Sequence, residues 1–173
     1  MRLRIFRFVS AGLLLGWMIL IFALSNETAA VSSQTSGGFS KLLFSFLYPP
    51  FNNMNDLSQQ EIVSEASFII RKLAHFTIYG LLGVFALLSV ISYRRLRYSV
   101  RCAIAFFICA AYAACDEWHQ TFIAGRSGEL RDVMIDSCGA LLFIIIFSII
   151  LYSVKRRRKS SEIENRSGSE KID

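Results

Sequence analysis

The stretch VMIDSCGALLFIIIFSIILY (residues 133–152) decides the fold class, because it is long, strongly apolar and carries a single charged side chain. About 20 predominantly apolar residues are needed to cross the hydrocarbon core of a bilayer. A segment in that core must satisfy its own backbone hydrogen bonds and is therefore helical. The stretch predicts a transmembrane helix, and its one acid, Asp136, is expected to face protein rather than lipid.

Three further stretches approach the same length, at about residues 8–24, 73–93 and 100–118. The first also resembles a secretory signal, but its length favours a retained helix. Of the 173 residues, 54% are hydrophobic and 18% are charged, whereas ordinary soluble domains contain roughly 45–50% apolar residues. We therefore predict an all-α integral membrane protein built as a four-transmembrane-helix bundle. Its membrane domain is expected at residues 1–159, followed by a polar, disordered cytoplasmic tail at 160–173.

Basic residues cluster at one end of this predicted bundle. The N-terminal segment, the turn at 94–101 and the C-terminal tail hold fourteen of the nineteen Lys and Arg residues. Cytoplasmic flanks carry such an excess, so both termini are predicted to be cytoplasmic. Nine of the thirteen acids fall on the opposite side, which is predicted to be the outer face. The net charge of +6 thus reflects membrane topology, and no nucleic-acid partner is predicted.

The longest predicted loop, residues 25–71, has three parts. Residues 25–36 are rich in Ser, Thr, Asn and Gln, which predicts irregular chain. Residues 39–48 are too few to span the membrane and too apolar to be fully exposed to water. We therefore expect an outer segment that lies in the membrane interface or re-enters it. Pro49 and Pro50 predict an extended break. The following Ser-Gln-Gln-Glu at 58–61 predicts a capping box that begins a helix leading into the second span.

Ionisable residues concentrate in ACDEWHQTFIAGRSGELRD (residues 114–132) and in RKLAHFTIY (residues 71–79). Spacings of three and four place Lys72, His75 and Tyr79 on one helix face. The end of the third span forms a second such face, and two acids open the fourth span. Together the outer ends of three helices present Lys72, His75, Tyr79, Asp116, Glu117, His119, Gln120, Arg126, Asp132 and Asp136.

Structural explanations compete with a functional one for each of these residues. Charges at helix ends serve capping and dipole interactions, and Arg126 could close the loop by pairing with Asp132 or Asp116. Capping requires neither two histidines nor an acid at membrane depth, so the set as a whole favours a site. A divalent ion remains an alternative, but no zinc-site spacing occurs, so no metal or other cofactor is predicted. Nucleophilic catalysis by serine has no supporting Gly-x-Ser-x-Gly turn.

Several spaced motifs resemble the VanZ-like family, which is named for a teicoplanin-resistance accessory protein. The motifs are KLAHFTIYG at 72–80, DEWHQTF at 116–122, Gly125-Arg126, Asp132-Val133, Gly139 and the earlier IFALSN at 21–26. The resemblance implies a bacterial multi-pass membrane protein of the cell envelope. It further implies action on phosphate-bearing lipids or lipid-linked envelope substrates, and an influence on glycopeptide and lipoglycopeptide susceptibility. His119 matches the family pattern less well than do His75, Glu117, Gln120, Arg126 and Asp132.

The chemistry of this set is suited to phosphate, because arginine offers a planar fork of donors and lysine a point charge. We predict a lipid-phosphate hydrolase or head-group transferase whose partners are membrane lipids or a lipid-linked envelope precursor. His75 would be the base or nucleophile and Asp116 or Glu117 its orienting or acid partner. Asp132 would hold Arg126 in place. The predicted catalytic set is His75, Asp116, Glu117, Gln120 and Asp132, the substrate-binding set is Lys72, Tyr79 and Arg126, and the further candidates are His119 and Asp136.

A non-enzymatic binding protein is the alternative function. Such a protein would hold a lipid carrier, an amphipathic antibiotic or an envelope partner between the helices. It would need the same cations but no titrating base, so it predicts that His75→Gln keeps function while Arg126→Ala loses it. The small residues Gly80, Gly83 and Gly139 are predicted to allow close helix packing.

Overall fold

A computed structural model describes residues 2–93 and 95–169 of the chain. Arg94 of the predicted basic turn and residues 170–173 of the predicted tail lie outside the described residues. The described chain forms five α-helices and one short 3-10 helix. The α-helices are α1 (Arg2–Ser25), α2 (Ala29–Leu47), α3 (Asp56–Ile91), α4 (Tyr98–Gln120) and α5 (Leu130–Ser169), and the 3-10 helix is Pro49–Asn53.

Four of these helices, α1, α3, α4 and α5, are long and apolar enough to cross a membrane. The predicted four-transmembrane-helix bundle is therefore confirmed. At about 1.5 Å per residue the 36 residues of α3 extend about 54 Å, well beyond a hydrocarbon core of about 30 Å. Because the apolar part of α3 is its second half, its first half extends out of the bundle and packs against α2.

The prediction of irregular chain at residues 25–36 is wrong for residues 29–36, since α2 already begins at Ala29. The Thr28 hydroxyl caps this helix by accepting from the Val31 N–H. The serine hydroxyls that favour irregular chain instead bond to carbonyls of their own helix, as Ser36 does to the Ser32 oxygen at 2.9 Å. Ser40 is fully buried and its hydroxyl lies 3.1 Å from that of Ser67 on α3, which ties the two helices together.

The polypeptide reverses between α2 and α3 where the two prolines predict a break. The break is a 3-10 turn rather than extended chain, and it is held in place by the fully buried ring of Phe51. The predicted capping box is also wrong. Asn55 caps α3 by accepting from the Ser58 N–H at 2.8 Å, so Ser58 lies inside the first turn. The predicted continuation of this helix into the second span is confirmed.

Helix α1 runs antiparallel to α3 and is attached to it by hydrogen bonds at several levels. The Trp17 indole donates to the Ile78 carbonyl at 2.9 Å, and the Ser89 hydroxyl donates to the Ser10 carbonyl at 2.9 Å. Tyr112 of α4 donates to the carbonyl of Met18 at 2.6 Å. Interhelical hydrogen bonds of this kind contribute on average about 0.6 kcal/mol each inside a membrane.

Helices α3 and α5 run parallel and approach each other closely, as the small residues predict. A Cβ added to Gly139 would collide with the Phe76 backbone, and one added to Gly83 would lie 2.7 Å from the Ala140 carbonyl oxygen. This contact determines the register between the two helices. The register in turn determines which polar side chains at the start of α5 face those in the middle of α3.

Helix α5 continues as far as Ser169, beyond the predicted end of the fourth span at residue 152. The prediction of a disordered tail is therefore wrong for residues 160–169, which continue the helix. Helix propensity accounts for this, because the segment after Tyr152 contains several Lys, Arg and Glu residues and neither proline nor glycine before Gly168.

Candidate functional site

A cavity of about 210 Å³ lies at the end of the bundle where the α4–α5 loop folds over α3. We call it the loop cavity. Four segments meet here: the start of α2, the middle of α3, the end of α4 with its loop, and the start of α5. Its lining residues are Ala29, Phe68, Arg71, Lys72, His75, Gln120, Gly125, Arg126, Ser127, Glu129 and Asp132.

The α3 face that the spacing predicts is present, but its three residues lie at different depths. Lys72 and His75 line the loop cavity. Tyr79 lies one turn further into the bundle, where its side chain is almost completely buried and its ring centroid is 6.3 Å from that of Tyr112. The Tyr79 hydroxyl has no hydrogen-bond partner within the described part of the chain. Tyr79 therefore belongs to the floor beneath the cavity rather than to its wall.

Two contacts join α3 to the parallel start of α5. Lys72 forms an ion pair with Asp132, in which the ammonium contacts both carboxylate oxygens. Three residues further along α3, His75 Nδ1 lies 3.8 Å from Asp136 Oδ2. Asp132 thus pairs with Lys72 rather than with Arg126, and the carboxylate that faces His75 belongs to Asp136 rather than to Asp116 or Glu117. The α3–α5 register decides both pairings.

The remaining acids of the predicted site are buried at the end of α4. The Gln120 amide donates to Asp116 Oδ2 at 3.2 Å. Glu117 Oε2 accepts from the Glu129 backbone N–H at 2.9 Å, which fixes the point where the loop turns into α5. The other carboxylate oxygen of each acid, Asp116 Oδ1 and Glu117 Oε1, has no hydrogen-bond partner among the described residues. Both carboxylate oxygens of Asp136 also lack a partner there.

Buried polar atoms are nearly always hydrogen-bonded in folded proteins, so a cluster of unpartnered carboxylate oxygens requires an explanation. Asp136 is fully buried, and burying a carboxyl group without partners is costly. Such costs are commonly tolerated where a site serves a function. The cluster lies directly below the wall residue His75, so the cavity has an acidic floor and a basic rim.

Two guanidinium groups form the basic rim together with Lys72. Arg126 lies in the loop, where Gly125 adopts a positive φ of 76° that only glycine accommodates without strain. Burial and the nearby positive charge of Arg71 both lower the pKa of Arg126 from its usual value. Two guanidinium groups that repel each other across a small cavity favour an anion placed between them, since the anion would neutralise both.

Arg71 is the cation of the loop cavity that the sequence did not indicate as part of the site. It donates to the Ser33 hydroxyl of α2 at 2.9 Å, and its buried Nε has no hydrogen-bond partner within the described residues. Its position before Lys72 in the RKLAH stretch is a signal that could have suggested it. Its inclusion depends on α2, whose helical structure the sequence did not reveal.

His119 lies outside the cavity, although the sequence placed it with the other candidates. Its Nε2 is 3.0 Å from Asn26 Oδ1, and its ring centroid is 4.8 Å from that of Phe22. It therefore attaches the end of α4 to the end of α1. The residues that the structure brings together are Lys72, His75, Gln120, Arg126 and Asp132 in the wall, with Tyr79, Asp116, Glu117 and Asp136 beneath them.

The donor set of the site suits anions better than metals. In the part of the chain that the structure describes, no three His, Cys, Asp or Glu side chains are arranged to hold a metal ion. The cations that line the cavity are guanidinium and ammonium groups, which are suited to oxyanions, although the carboxylates of Glu129 and Asp132 line it as well.

These features define a class: a multi-pass helical membrane protein whose helix ends and loop enclose a polar cavity above buried acids. The model of the VanZ/LLP1 family matches residues 10–151, which include every residue of the loop cavity and its floor. The chain therefore belongs to the VanZ/LLP1 family. Comparison with curated proteins and with solved structures gave no match.

Proposed function

We propose that this protein acts on a phosphate-bearing lipid or a lipid-linked cell-envelope substrate, and that the phosphate binds in the loop cavity. The observation that carries the proposal is the presence of Arg71, Arg126 and His75 around one cavity of about 210 Å³. Two planar guanidinium forks can each donate two parallel hydrogen bonds to phosphate oxygens. Lys72 adds positive charge at the same rim, although Asp132 holds its ammonium group.

The proposed reaction is hydrolysis of a phosphodiester in the head group. His75 accepts a proton from water, the water oxygen attacks phosphorus, and the phosphorus–oxygen bond to the leaving group breaks. The protonated His75 then gives the proton to the leaving oxygen, so that one water is consumed and no other reactant is needed. Asp136, 3.8 Å from His75 Nδ1, stabilises the imidazolium between the two steps.

The acids of α4 act as positioning residues in this scheme. Glu117 holds the first turn of α5 through the Glu129 N–H, so it controls where Asp132 and Asp136 lie relative to α3. Gln120 lines the cavity while it donates to Asp116, and it can orient a bound oxyanion or water. A general base of this type accelerates reactions by about 100- to 10,000-fold, which sets the scale of the loss when His75 is replaced.

The proposed location of the site is the outer face of a bacterial cell membrane, with both termini in the cytoplasm. The support is the charge distribution in the sequence, because the N-terminal segment, the turn at 94–101 and the C-terminal tail hold fourteen of the nineteen basic residues, whereas the residues of the loop cavity come from the other ends of the spans. A phosphate-bearing envelope substrate would reach the loop cavity from the outer leaflet.

Thiol labelling in intact cells tests this orientation. In a variant whose four cysteines are replaced by alanine, we expect Ser127→Cys in the exposed loop to react with a membrane-impermeant maleimide. Ser160→Cys, which is equally exposed at the other end, should react only after the cells are lysed. The cysteine-free variant gives the background. The reverse labelling pattern would invert the proposed orientation.

Three variants in lipid vesicles test the function itself. His75→Gln should bind a phospholipid such as phosphatidylinositol normally but lose at least about 100-fold in head-group release. Arg126→Ala should weaken both binding and release. Arg131→Ala is the matched control, because Arg131 lies in the same region but is exposed and does not line the cavity, although its partner Glu129 does. Undiminished release by His75→Gln would refute the proposed role of this residue.

The second candidate is a binding protein that sequesters a lipid carrier or an amphipathic antibiotic. The observation that favours it is the 3.8 Å separation of His75 and Asp136, which is longer than a hydrogen bond and leaves the imidazole without a fixed orientation. Under this alternative, cells that express His75→Gln would keep the effect of the wild-type protein on lipoglycopeptide susceptibility. Cells that express Arg126→Ala would lose that effect. The catalytic proposal requires both variants to fail.

A further inference from the structure

A second polar cavity lies between α2 and the first half of α3, and the proposed reaction does not use it. Its volume is about 390 Å³, within the range of about 300–1,000 Å³ that is common for small-molecule sites. We call it the α2–α3 cavity. The side chains that matter for its chemistry are Ser33, Lys41, Asp56, Gln60, Ser64 and Arg71.

The lining of this cavity combines nearly balanced charges with neutral polar groups. It presents one ammonium, one carboxylate, amides and hydroxyls, so its charges balance apart from Arg71 at one end. Lys41 and Asp56 have no ion-pair partner among the residues that the structure describes, and the Gln60 amide makes no hydrogen bond to them. Most of these side chains are exposed, so their donors and acceptors are hydrated in the free protein and accessible to a ligand that carries both kinds of group, as a polyhydroxylated ring does.

Arg71 connects this cavity to the loop cavity, because its side chain lines both. Its terminal nitrogen donates to Ser33 in the wall of the α2–α3 cavity at 2.9 Å. Its buried Nε has no partner within the described chain and remains free to donate to an oxyanion. One guanidinium can therefore contact a phosphate in the loop cavity and the adjoining part of the same molecule in the α2–α3 cavity.

The order of the two cavities along α3 suits a lipid head group. His75 and Lys72 lie at the start of the apolar part of the helix, and Gln60 lies eleven residues before Arg71. At about 1.5 Å per residue that separation is about 16 Å. The loop cavity is thus at the level of the bilayer surface, and the α2–α3 cavity extends away from the hydrocarbon.

We infer that the α2–α3 cavity binds the uncharged, hydroxyl-bearing part of a glycosyl-type head group whose phosphate lies in the loop cavity. This inference rests on the proposed function and adds the substrate class, namely a phospholipid or lipid-linked phosphate that carries a sugar or sugar-like ring. The acyl or polyprenyl chains would remain in the bilayer.

Two adjacent glycines provide a matched test. A Cβ added to Gly37 would lie 3.7 Å from the Ser67 hydroxyl and 3.8 Å from Val63, both of which line the cavity, so a larger side chain there would fill it. A Cβ added to Gly38 meets nothing within 4 Å. Gly37→Phe should therefore block the α2–α3 cavity, while Gly38→Phe introduces the same ring on the same helix outside it.

The measurement is native mass spectrometry of the full chain with two lipids of equal charge. Phosphatidylinositol carries a polyhydroxylated ring on its phosphodiester, and phosphatidylmethanol carries only a methyl group. We expect the wild type and Gly38→Phe to bind phosphatidylinositol with a Kd about tenfold lower than that for phosphatidylmethanol. Gly37→Phe should bind both lipids with the affinity that the wild type has for phosphatidylmethanol.

The outcomes separate the two proposals. If the wild type binds the two lipids equally, or if Gly37→Phe keeps the preference, the α2–α3 cavity is not a head-group subsite, while phosphate binding in the loop cavity still stands. If neither lipid binds better than phosphatidylcholine and Arg126→Ala changes nothing, the proposed function and this inference both fail.

Discussion

Gly139→Leu is expected to abolish the folded bundle or to destabilise it severely. A side chain at this position would collide with the backbone of Phe76, and backbone cannot rotate away as a side chain can. Overpacking a well-packed core costs about 1–3 kcal/mol and occasionally more, and we expect a loss at or above the upper end of that range. Thermal unfolding in detergent, together with the recovery of monodisperse protein, measures the effect.

Gly16→Leu is the control for this variant. Gly16 lies in the apolar part of α1, and a Cβ added there meets nothing within 4 Å. Gly16→Leu introduces the same side chain into a transmembrane helix at a position that contacts no other helix. It should therefore leave the unfolding temperature nearly unchanged. Equal stability of the two variants would show that α3 and α5 are not held at the close approach described here.

Asp136→Leu is expected to stabilise the protein and at the same time to abolish head-group release. The fully buried carboxyl group has no hydrogen-bond partner for either oxygen within the described chain, and a buried unsatisfied group costs about 1–3 kcal/mol. Leucine has the same branched side-chain skeleton and no polar atom, with two methyl groups in place of the smaller carboxylate oxygens. His75 is partly exposed and can remain neutral, so the loss of Asp136 leaves no uncompensated charge beside it.

Thermal unfolding and vesicle assays of the same preparation test both halves of this expectation. Cys138→Leu serves as the control, because Cys138 lies two residues further along α5 and is exposed on the helix surface. It should change neither stability nor release by a comparable amount. If the Asp136→Leu protein is less stable than the wild type, the acid has a structural role. If the variant releases head groups at the wild-type rate, Asp136 takes no part in the proposed reaction.

The fold class followed from the sequence because membrane insertion depends on local composition. A run such as residues 133–152 must be helical wherever it crosses a bilayer, whatever surrounds it. Helical periodicity likewise placed Lys72, His75 and Tyr79 on one face without reference to other elements. Helix α2 was harder to predict, since a helix rich in serines whose hydroxyls bond to its own carbonyls has the same composition as irregular chain.

Local composition and spacing could not predict which side chains of the site pair with each other. Whether Asp132 meets Lys72 or Arg126 depends on the register of α5 against α3, which the contacts at Gly83 and Gly139 determine. Arg71 enters the site only because α2 folds back onto α3 and brings Ser33 to it. The sequence alone determined which helices are long and apolar enough to cross a membrane and which faces carry charge, because both depend on local composition and spacing. Tertiary structure alone decided which charges meet, because a shift of one helical turn between two helices exchanges every partner.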